Sequence, residues 1–426
     1  MTNYLIIGNS AAAIGAVEGI RRSDRKNPIT LIAEEPYPCY SRPLISYYLE
    51  GRVAEKEMGY RGADFYAANR VEARLGVRAR RVDPDRQEVI LESGEVLPYD
   101  RLLIATGSRP ATPPIGGMEK KGVFFFNKLD DARALRQYVS PGSRCAVIGG
   151  GLTGLKAAEA LIHLGARVLV ADISSCLLSA ILDPAGAEIV KRHLAESGIG
   201  FKLGVPVVEL AGDSQVEGLI FADGCSQAVD AVIVATGVRP NLEVVSDTGV
   251  DVGQGIIVDN HLQTNLPGIF AAGDVSEGWD IVRQQRRVIA NLPNAYKQGE
   301  TAGRNMAGEK VVYPGGLALN SVSLFGLAIA TAGISNSEDS GVEAVQYLKE
   351  AEKIYRRLNF RDGRLVGYIC IGDIGRAGIL TALIKSRAPL ADDREGLLKG
   401  DFGLVDLPEE VRLSWRWERG DLTWRF

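Results

Sequence analysis

Histidine is nearly missing from this chain: the 426 residues hold three, His163, His193 and His261. None of them lies in the C-terminal third. Each reads as a surface residue of a helix or loop. The five cysteines, Cys39, Cys145, Cys176, Cys225 and Cys370, lie far apart and make neither a CxxC pair nor a metal-ligand cluster, so the default is reduced, structural thiols. Neither sign of charge dominates. With 49 Lys and Arg against 53 Asp and Glu, the net charge is -4, which lacks the clustered positive charge expected of a nucleic-acid-binding protein. No long hydrophobic run is present either. The apolar start, Tyr4 to Ile7, is far too short for a membrane span and lacks the basic flank and cleavage site of a signal peptide, so the expectation is a cytoplasmic protein.

What the chain does have is repeated punctuation by glycine. An apolar run at Tyr4–Ile7 passes through the small-residue turn Gly8-Asn9-Ser10-Ala11-Ala12-Ala13 into an alanine-rich helix reaching Arg21 and Arg22. A second apolar run, Ile29 to Ala33, then ends at Glu34 and Glu35. This is a βαβ unit of a parallel sheet. The same order returns later. Cys145 to Ile148 leads into Gly149-Gly150-Gly151-Leu152-Thr153-Gly154, a helix follows from Leu155, and a strand from Val168 ends at Asp172. Two segments echo one another as strands leaving through glycine: LLIATGSRP (Leu102 to Pro110) and VIVATGVRP (Val232 to Pro240). Beyond Gly315 the pattern changes to strand-like pieces at Val322–Leu324, Gln346–Tyr347, Tyr355–Phe360 and Leu365–Ile371, then a helix over Ala377–Ser386.

A glycine turn lets the backbone approach a pyrophosphate, and the helix behind it aims its partial positive end at the anion. The first turn is irregular, with Ser10 where a second glycine usually stands; its hydroxyl is a donor for phosphate. Glu34 and Glu35 lie where a carboxylate accepts ribose hydroxyls. A late segment, Gly268-Ile-Phe-Ala-Ala-Gly273-Asp274, is an apolar strand ending in Gly-Asp. The order of glycine turn, ATG segment, second glycine turn, second ATG segment and AAGD resembles the pyridine nucleotide-disulfide oxidoreductase superfamily of FAD enzymes over about 300 residues. The resemblance implies that the first turn (Gly8, Ser10, Ala11, Ala12) holds FAD. It also implies FAD contacts at Glu34, Glu35, Arg42 and Ala79, and cofactor contacts at Thr106, Gly107, Arg109 and Gly237. Asp274, beside Gly273, would bond the ribityl chain, and a helix beginning near Asn294 and Ala295 would point at the flavin ring.

Gly149, Gly151 and Gly154 meet the full GxGxxG pattern, with Thr153 in the turn and Asp172 about twenty residues on. A carboxylate there bonds the adenosine 2′-hydroxyl and repels a 2′-phosphate, and Ile173-Ser174-Ser175 offer no arginine, so NADH is expected over NADPH.

The resemblance also shows what is replaced. Family members that reduce disulfides need a thiolate beside the flavin, and the single-cysteine members place it at the position of Pro43; Cys39 falls earlier. The stretch Tyr40-Ser41-Arg42-Pro43-Leu44 resembles rubredoxin and ferredoxin reductases, apoptosis-inducing-factor-like flavoproteins and the flavin portion of nitrite reductases. Their usual lysine falls at Tyr47 and its glutamate partner at Lys156. The charge therefore moves to the second domain, onto Lys156; Lys156 and Tyr47 are the catalytic candidates, Lys156 stabilising charge as hydride arrives. The competing reading pairs Lys156 with Glu159 along the helix.

The expected fold is α/β: two Rossmann-like domains for FAD and NAD (three-layer ββα type) plus a C-terminal α+β interface domain resembling that of the nitrite and rubredoxin reductase group. The boundaries are 1–110 and 245–314 for FAD, 111–244 for NAD, 315–405 for the interface domain and 406–426 for a tail. That tail holds Trp415, Trp417 and Trp424, and its alternation of aromatic and charged residues suits a strand or hairpin. The resemblance implies a homodimer in which NADH delivers hydride to flavin and electrons leave, in either direction, to a ferredoxin- or rubredoxin-type protein. The alternatives are an NADH oxidase or peroxidase, a quinone reductase, or a redox-gated binding module.

Overall fold

The computed structural model describes residues 1–336, 341–390, 394–407, 409, 411 and 412, so the three tryptophans of the tail, and the strand or hairpin expected there, lie outside the described residues. The chain forms two compact units, one made of 1–173 and 199–318, the other of 174–198 and the residues from Leu319 onward. No helix among the described residues is long and apolar enough to cross a membrane.

The first unit is built twice over on one plan. Its first sheet has five parallel strands in the order Ile269–Ala271, Arg101–Ile104, Tyr4–Ile7, Ile29–Ala33 and Val71–Leu75. Its second runs Ile199–Leu203, Arg167–Asp172, Arg144–Ile148, Ala231–Val234 and Val123–Phe125, again all parallel. Tyr4–Ile7 and Ala231–Val234 are buried along their whole length because a parallel sheet is covered on both faces. Each sheet carries a three-stranded antiparallel appendage, Ala79–Asp83 with Glu88–Leu91 and Val96–Pro98 in the first half, and Val207–Ala211 with Gly218–Phe221 and Ser226–Ala228 in the second. Both appendages bulge at the same place, after Ala79 and after Val207. The two echoing segments meet: Ser108–Pro110 pairs antiparallel with Val238–Pro240 and joins the halves.

The second unit is a five-stranded antiparallel sheet in the order Leu319–Leu324, Leu327–Gly333, Arg364–Ile371, Ile354–Arg361 and Glu343–Lys349, with the helix Ala377–Ser386 beside its central strands. It also holds the helix Pro184–Glu196, which sequence periodicity does not flag. Asp183 explains that placement. Its carboxylate caps the helix at Gly186 N (3.0 Å) while accepting from Tyr355 Oη (2.5 Å) and Arg357 Nη1 (2.8 Å) of the sheet.

Candidate functional site

The first turn begins at Gly8, whose φ of +121° is left-handed and whose Cβ, if it had one, would lie 2.1 Å from Ala105 O; only glycine fits. Its N–H donates to Ile32 O (2.8 Å), fixing the turn to the strand tip. Ser10 is the N-cap of the helix Ala11–Ser23, its hydroxyl makes no capping bond, and no acid stands in the first turn. That end is therefore electrostatically open to an anion. A long helix, Leu292–Met306, lies against this one, and glycine permits the approach: a Cβ on Gly299 would sit 1.9 Å from Ala12 O, and one on Gly15 2.3 Å from Tyr296 O. Gly273 approaches the same turn, with a built Cβ 3.1 Å from Ala12 Cβ and 3.6 Å from Ala295 Cβ, and its N–H donates to Gln298 Oε1 (2.8 Å).

Asp274 follows. Burial pushes its carboxyl above the usual carboxylate range, with Ser108 (Oγ to Oδ2, 3.2 Å) and the Arg42 charge pulling the other way. Burial works against the Arg42 charge as well, but Tyr40 and Glu35 more than offset it. Arg42 donates to Glu35 and to Asn127 O (3.0 Å), and Tyr40 Oη donates to the other Glu35 oxygen (2.6 Å). The two adjacent glutamates thus part company: Glu35 is bound inward, while Glu34 is 59% exposed, 3.6 Å from Lys128 and 3.8 Å from Arg78. Ala79 is buried on the appendage strand next to Arg78. Asn294 spends its side chain on Leu317, donating to O (3.0 Å) and accepting from N (3.3 Å), so it shapes the helix start. Thr106 Oγ1 donates to Asn241 O (2.9 Å), Arg109 pairs with Glu243 and Asn241, and Gly107 and Gly237 take left-handed turns at φ +66° and +104°.

The second turn repeats the geometry. Gly149 has φ +117° and a hypothetical Cβ 2.3 Å from Ala235 O, and its N–H donates to Ala171 O (2.8 Å). Gly154 is obligatory, since a Cβ there would lie 2.0 Å from Gly149 O. A Cβ on Gly151 would meet nothing, and both Gly151 and Thr153 are exposed. The Asp172 carboxylate turns back to accept from Gly150 N–H.

The halves meet at the two exchanged positions. The short helix Ile45–Leu49, just past Arg42, packs on the helix Leu152–His163, just past the second turn. Lys156 Nζ lies 4.5 Å from the Tyr47 ring centroid, and Arg52 lies 4.9 Å from the same ring. Lys156 pairs with Glu159, as the competing reading expects, and lies 3.8 Å from Glu50 Oε1. The Glu50 side chain is fully buried; its Oε2 is 3.2 Å from Arg52 and 3.9 Å from His163, and its Oε1 has no hydrogen-bond partner among the described residues. Sequence reasoning passes over Glu50, because its burial depends on two helices from different halves meeting.

The pyridine nucleotide-disulphide oxidoreductase family model matches residues 2–299. The chain belongs to that family. This pyridine nucleotide-disulphide oxidoreductase uses FAD and NADH, and the residues fit both: two glycine turns at uncapped, acid-free helix starts, and at the first a buried carboxylate. Residues 319–388 match the rubredoxin NAD+ reductase C-terminal domain. The oxidoreductase is 31% identical to NADH-dependent phenylglyoxylate dehydrogenase subunit epsilon of Aromatoleum evansii, over 91% of this chain and 93% of that one. It is 32% identical to nitrite reductase [NAD(P)H] of Bacillus subtilis, over 91% of this chain, but spans only 48% of that protein. Among solved structures, the covalent putidaredoxin reductase–putidaredoxin complex aligns with a TM-score of 0.86 at 25% identity, over 97% of this chain and 98% of that one.

Proposed function

We propose that the protein is an NADH:acceptor oxidoreductase whose electrons leave to a separate, small iron–sulfur or rubredoxin-type protein. Bound FAD supplies what side chains cannot, accepting electrons from NADH in a pair and releasing them singly. The first turn, with Glu34, Glu35, Arg42, Ala79, Gly273, Asp274 and Ala295, would hold the FAD. The second turn, with Asp172, would hold NADH. The observation that supports the reading is the meeting of the two halves at Tyr47 and Lys156, where a half-buried cation lies against the Tyr47 ring and near Glu50.

The chain's own residues divide the work. The two helix starts bind pyrophosphate through free backbone N–H groups. Asp172 excludes a 2′-phosphate by charge. Lys156, held by Glu159, Glu50 and the Tyr47 ring, favours negative charge where the two ligands' reactive ends meet. Support for an external acceptor comes from Cys39: burial pushes its thiol to about 12, so at neutral pH it is protonated and no nucleophile. All five cysteines are free, which fits a reducing compartment. The reading extends to a homodimer in the cytoplasm, tested by sedimentation and cell fractionation.

Anaerobic titration with NADH, followed by ferredoxin, rubredoxin, oxygen, peroxide and quinone in turn, is the direct test. Bleaching by NADH and fastest recovery with an iron–sulfur protein or rubredoxin is the expected result. Fastest recovery with oxygen, peroxide or quinone would replace the reading with an oxidase, peroxidase or quinone reductase. Slow recovery with all of them, with an NADH-dependent change in mass, would replace it with a redox-gated binding module.

A further inference from the structure

Hydride is a proton and two electrons, so NADH that reduces carriers of electrons alone ends as NAD+ + H+ + 2 e−. Under the reading above, two small redox proteins take one electron each, and one proton has to leave the junction of the two halves at every turnover. Among the described residues, the Glu50 side chain is fully buried there, yet its Oε1 has no hydrogen-bond partner. A buried acceptor oxygen without a donor is destabilising, and folded proteins keep few of them, so each calls for a reason.

Glu50 stands between two groups that can hold a proton. Its Oε1 lies 3.8 Å from Lys156 Nζ, on a side chain 13% exposed, and its Oε2 lies 3.9 Å from His163 Nδ1, on a side chain 42% exposed. The carboxylate thus links an ammonium inside the junction to an imidazole that reaches water. Arg52 Nη1 donates to Glu50 Oε2 (3.2 Å), and a guanidinium does not give up its proton, so it steadies the carboxylate. Glu159 pairs with Lys156 on the same helix. From the third helix packed here, Leu129–Tyr138, Arg136 donates to Tyr48 O (3.3 Å) and lies 5.1 Å from the centroid of that ring.

We propose that Glu50 is the proton carrier between Lys156 and His163. Lys156 Nζ gives a proton to Glu50 Oε1, and rotation about the Glu50 Cγ–Cδ bond turns the acid toward His163. His163 Nδ1 takes that proton, and the half-exposed ring then loses one to water. Lys156 regains its proton from the one that hydride leaves when its electrons depart separately. Each side chain ends in its starting charge, and one proton reaches solvent per NADH. Transfer needs heavy atoms about 2.6–3.2 Å apart, a closing of roughly 1 Å that the four-carbon stem of Lys156 and the half-exposed His163 ring allow. The inference rests on the external-acceptor reading: oxygen or a quinone takes up protons with its electrons and leaves none to export.

The test uses the FAD-loaded full-length protein with NADH and ferricyanide, a carrier of electrons alone, in weak buffer with phenol red. Stopped flow follows flavin colour and proton release together. Glu50→Gln keeps the shape of the side chain and removes the acid. It should slow flavin reoxidation and proton release together by about a hundredfold, and raise the solvent deuterium isotope effect on both. His163→Gln should slow them about tenfold. Dissolved imidazole should restore that variant but not Glu50→Gln, whose side chain solvent does not reach. A readout of the proton itself comes from time-resolved infrared spectra: a carboxylic-acid band should rise and decay during wild-type reoxidation and be missing in Glu50→Gln. Wild-type kinetics in Glu50→Gln, slowing with an unchanged isotope effect, or no such band in the wild type would overturn the relay, the last even if Glu50→Gln fails to fold. In each of those cases, reduction of a ferredoxin or rubredoxin by the wild type would leave the external-acceptor reading standing. Fastest wild-type recovery with oxygen or a quinone would overturn that reading and the outward course of the proton with it.

Discussion

The two glycine turns of the first unit share a fold and differ in their surroundings. At the first, the helix behind the turn is locked against Leu292–Met306, with glycines at 15, 19, 299 and 303 each facing backbone of the other helix. At the second, the turn faces outward, and Gly151 and Thr153 are exposed. The family's motif assigns the same task to both turns, but the packing sorts them. A ligand at the first turn would rest on a tightly packed helix pair, as suits a resident cofactor. At the second, Gly151 is exposed and a Cβ there would meet no atom of the described residues, as suits a substrate that would come and go at every turnover.

The largest expected effect comes from breaking that packing. Gly299→Leu drives a side chain into Ala12 O and should cost about 3 kcal/mol or more, read as a large loss of melting temperature and of bound flavin. A normal melt with full flavin content would show that the helix pair is not what retains the cofactor. Next comes the junction between the cradles. Lys156→Met should slow flavin bleaching by NADH by about one to three orders of magnitude in stopped flow, and an unchanged rate would leave Lys156 as merely the partner of Glu159. A smaller effect sharpens the contrast with the first turn. Gly151→Val, where a Cβ meets no protein atom, should leave melting and flavin content intact while raising the KM for NADH about tenfold, as its side chain occupies pyrophosphate space. Asp172→Ala should narrow the preference for NADH over NADPH by a similar factor, measured as the ratio of kcat/KM values.

The smallest effect tests what the halves share. Cys39 in the first and Cys145 in the second are both buried, and burial pushes each thiol to about 12. In the unfolded chain such a thiol ionises near 9, so above that pH the unfolded state binds fewer protons and stability falls, by about 1.4 kcal/mol per pH unit per thiol until the folded group ionises too. Cys39→Ala should flatten the decline of melting temperature between pH 9 and 11 by one thiol's share; an unchanged slope would mean the unfolded thiol is equally protected.

Much of this was legible because local rules agreed with the global fold. The apolar runs at Tyr4–Ile7 and Ile29–Ala33 became neighbouring parallel strands, and the helix over Ala377–Ser386 has the limits its pattern suggests. The strand Leu327–Gly333 went unread because its small residues do not alternate. The junction was legible only in part. Tyr47 and Lys156 stood out as exchanged residues, but their contact, and the burial of Glu50 between them and His163, come from tertiary packing that no spacing rule encodes. The split between Glu34 and Glu35 was equally hidden, since it depends on Arg42 choosing one of two adjacent carboxylates.

The passage of 174–198 into the second unit has a bearing on synthesis. The helix Pro184–Glu196 leaves the ribosome with Ala187, Ile189, Val190 and Leu194 ready for burial, but the sheet it belongs to begins about 120 residues later. At cellular elongation rates that is a wait on the order of ten seconds. During that interval the helix has no sheet to cover it while residues 199–318 of the first unit are still being made, so the nascent chain is most exposed to chaperones and to self-association before its last third is complete.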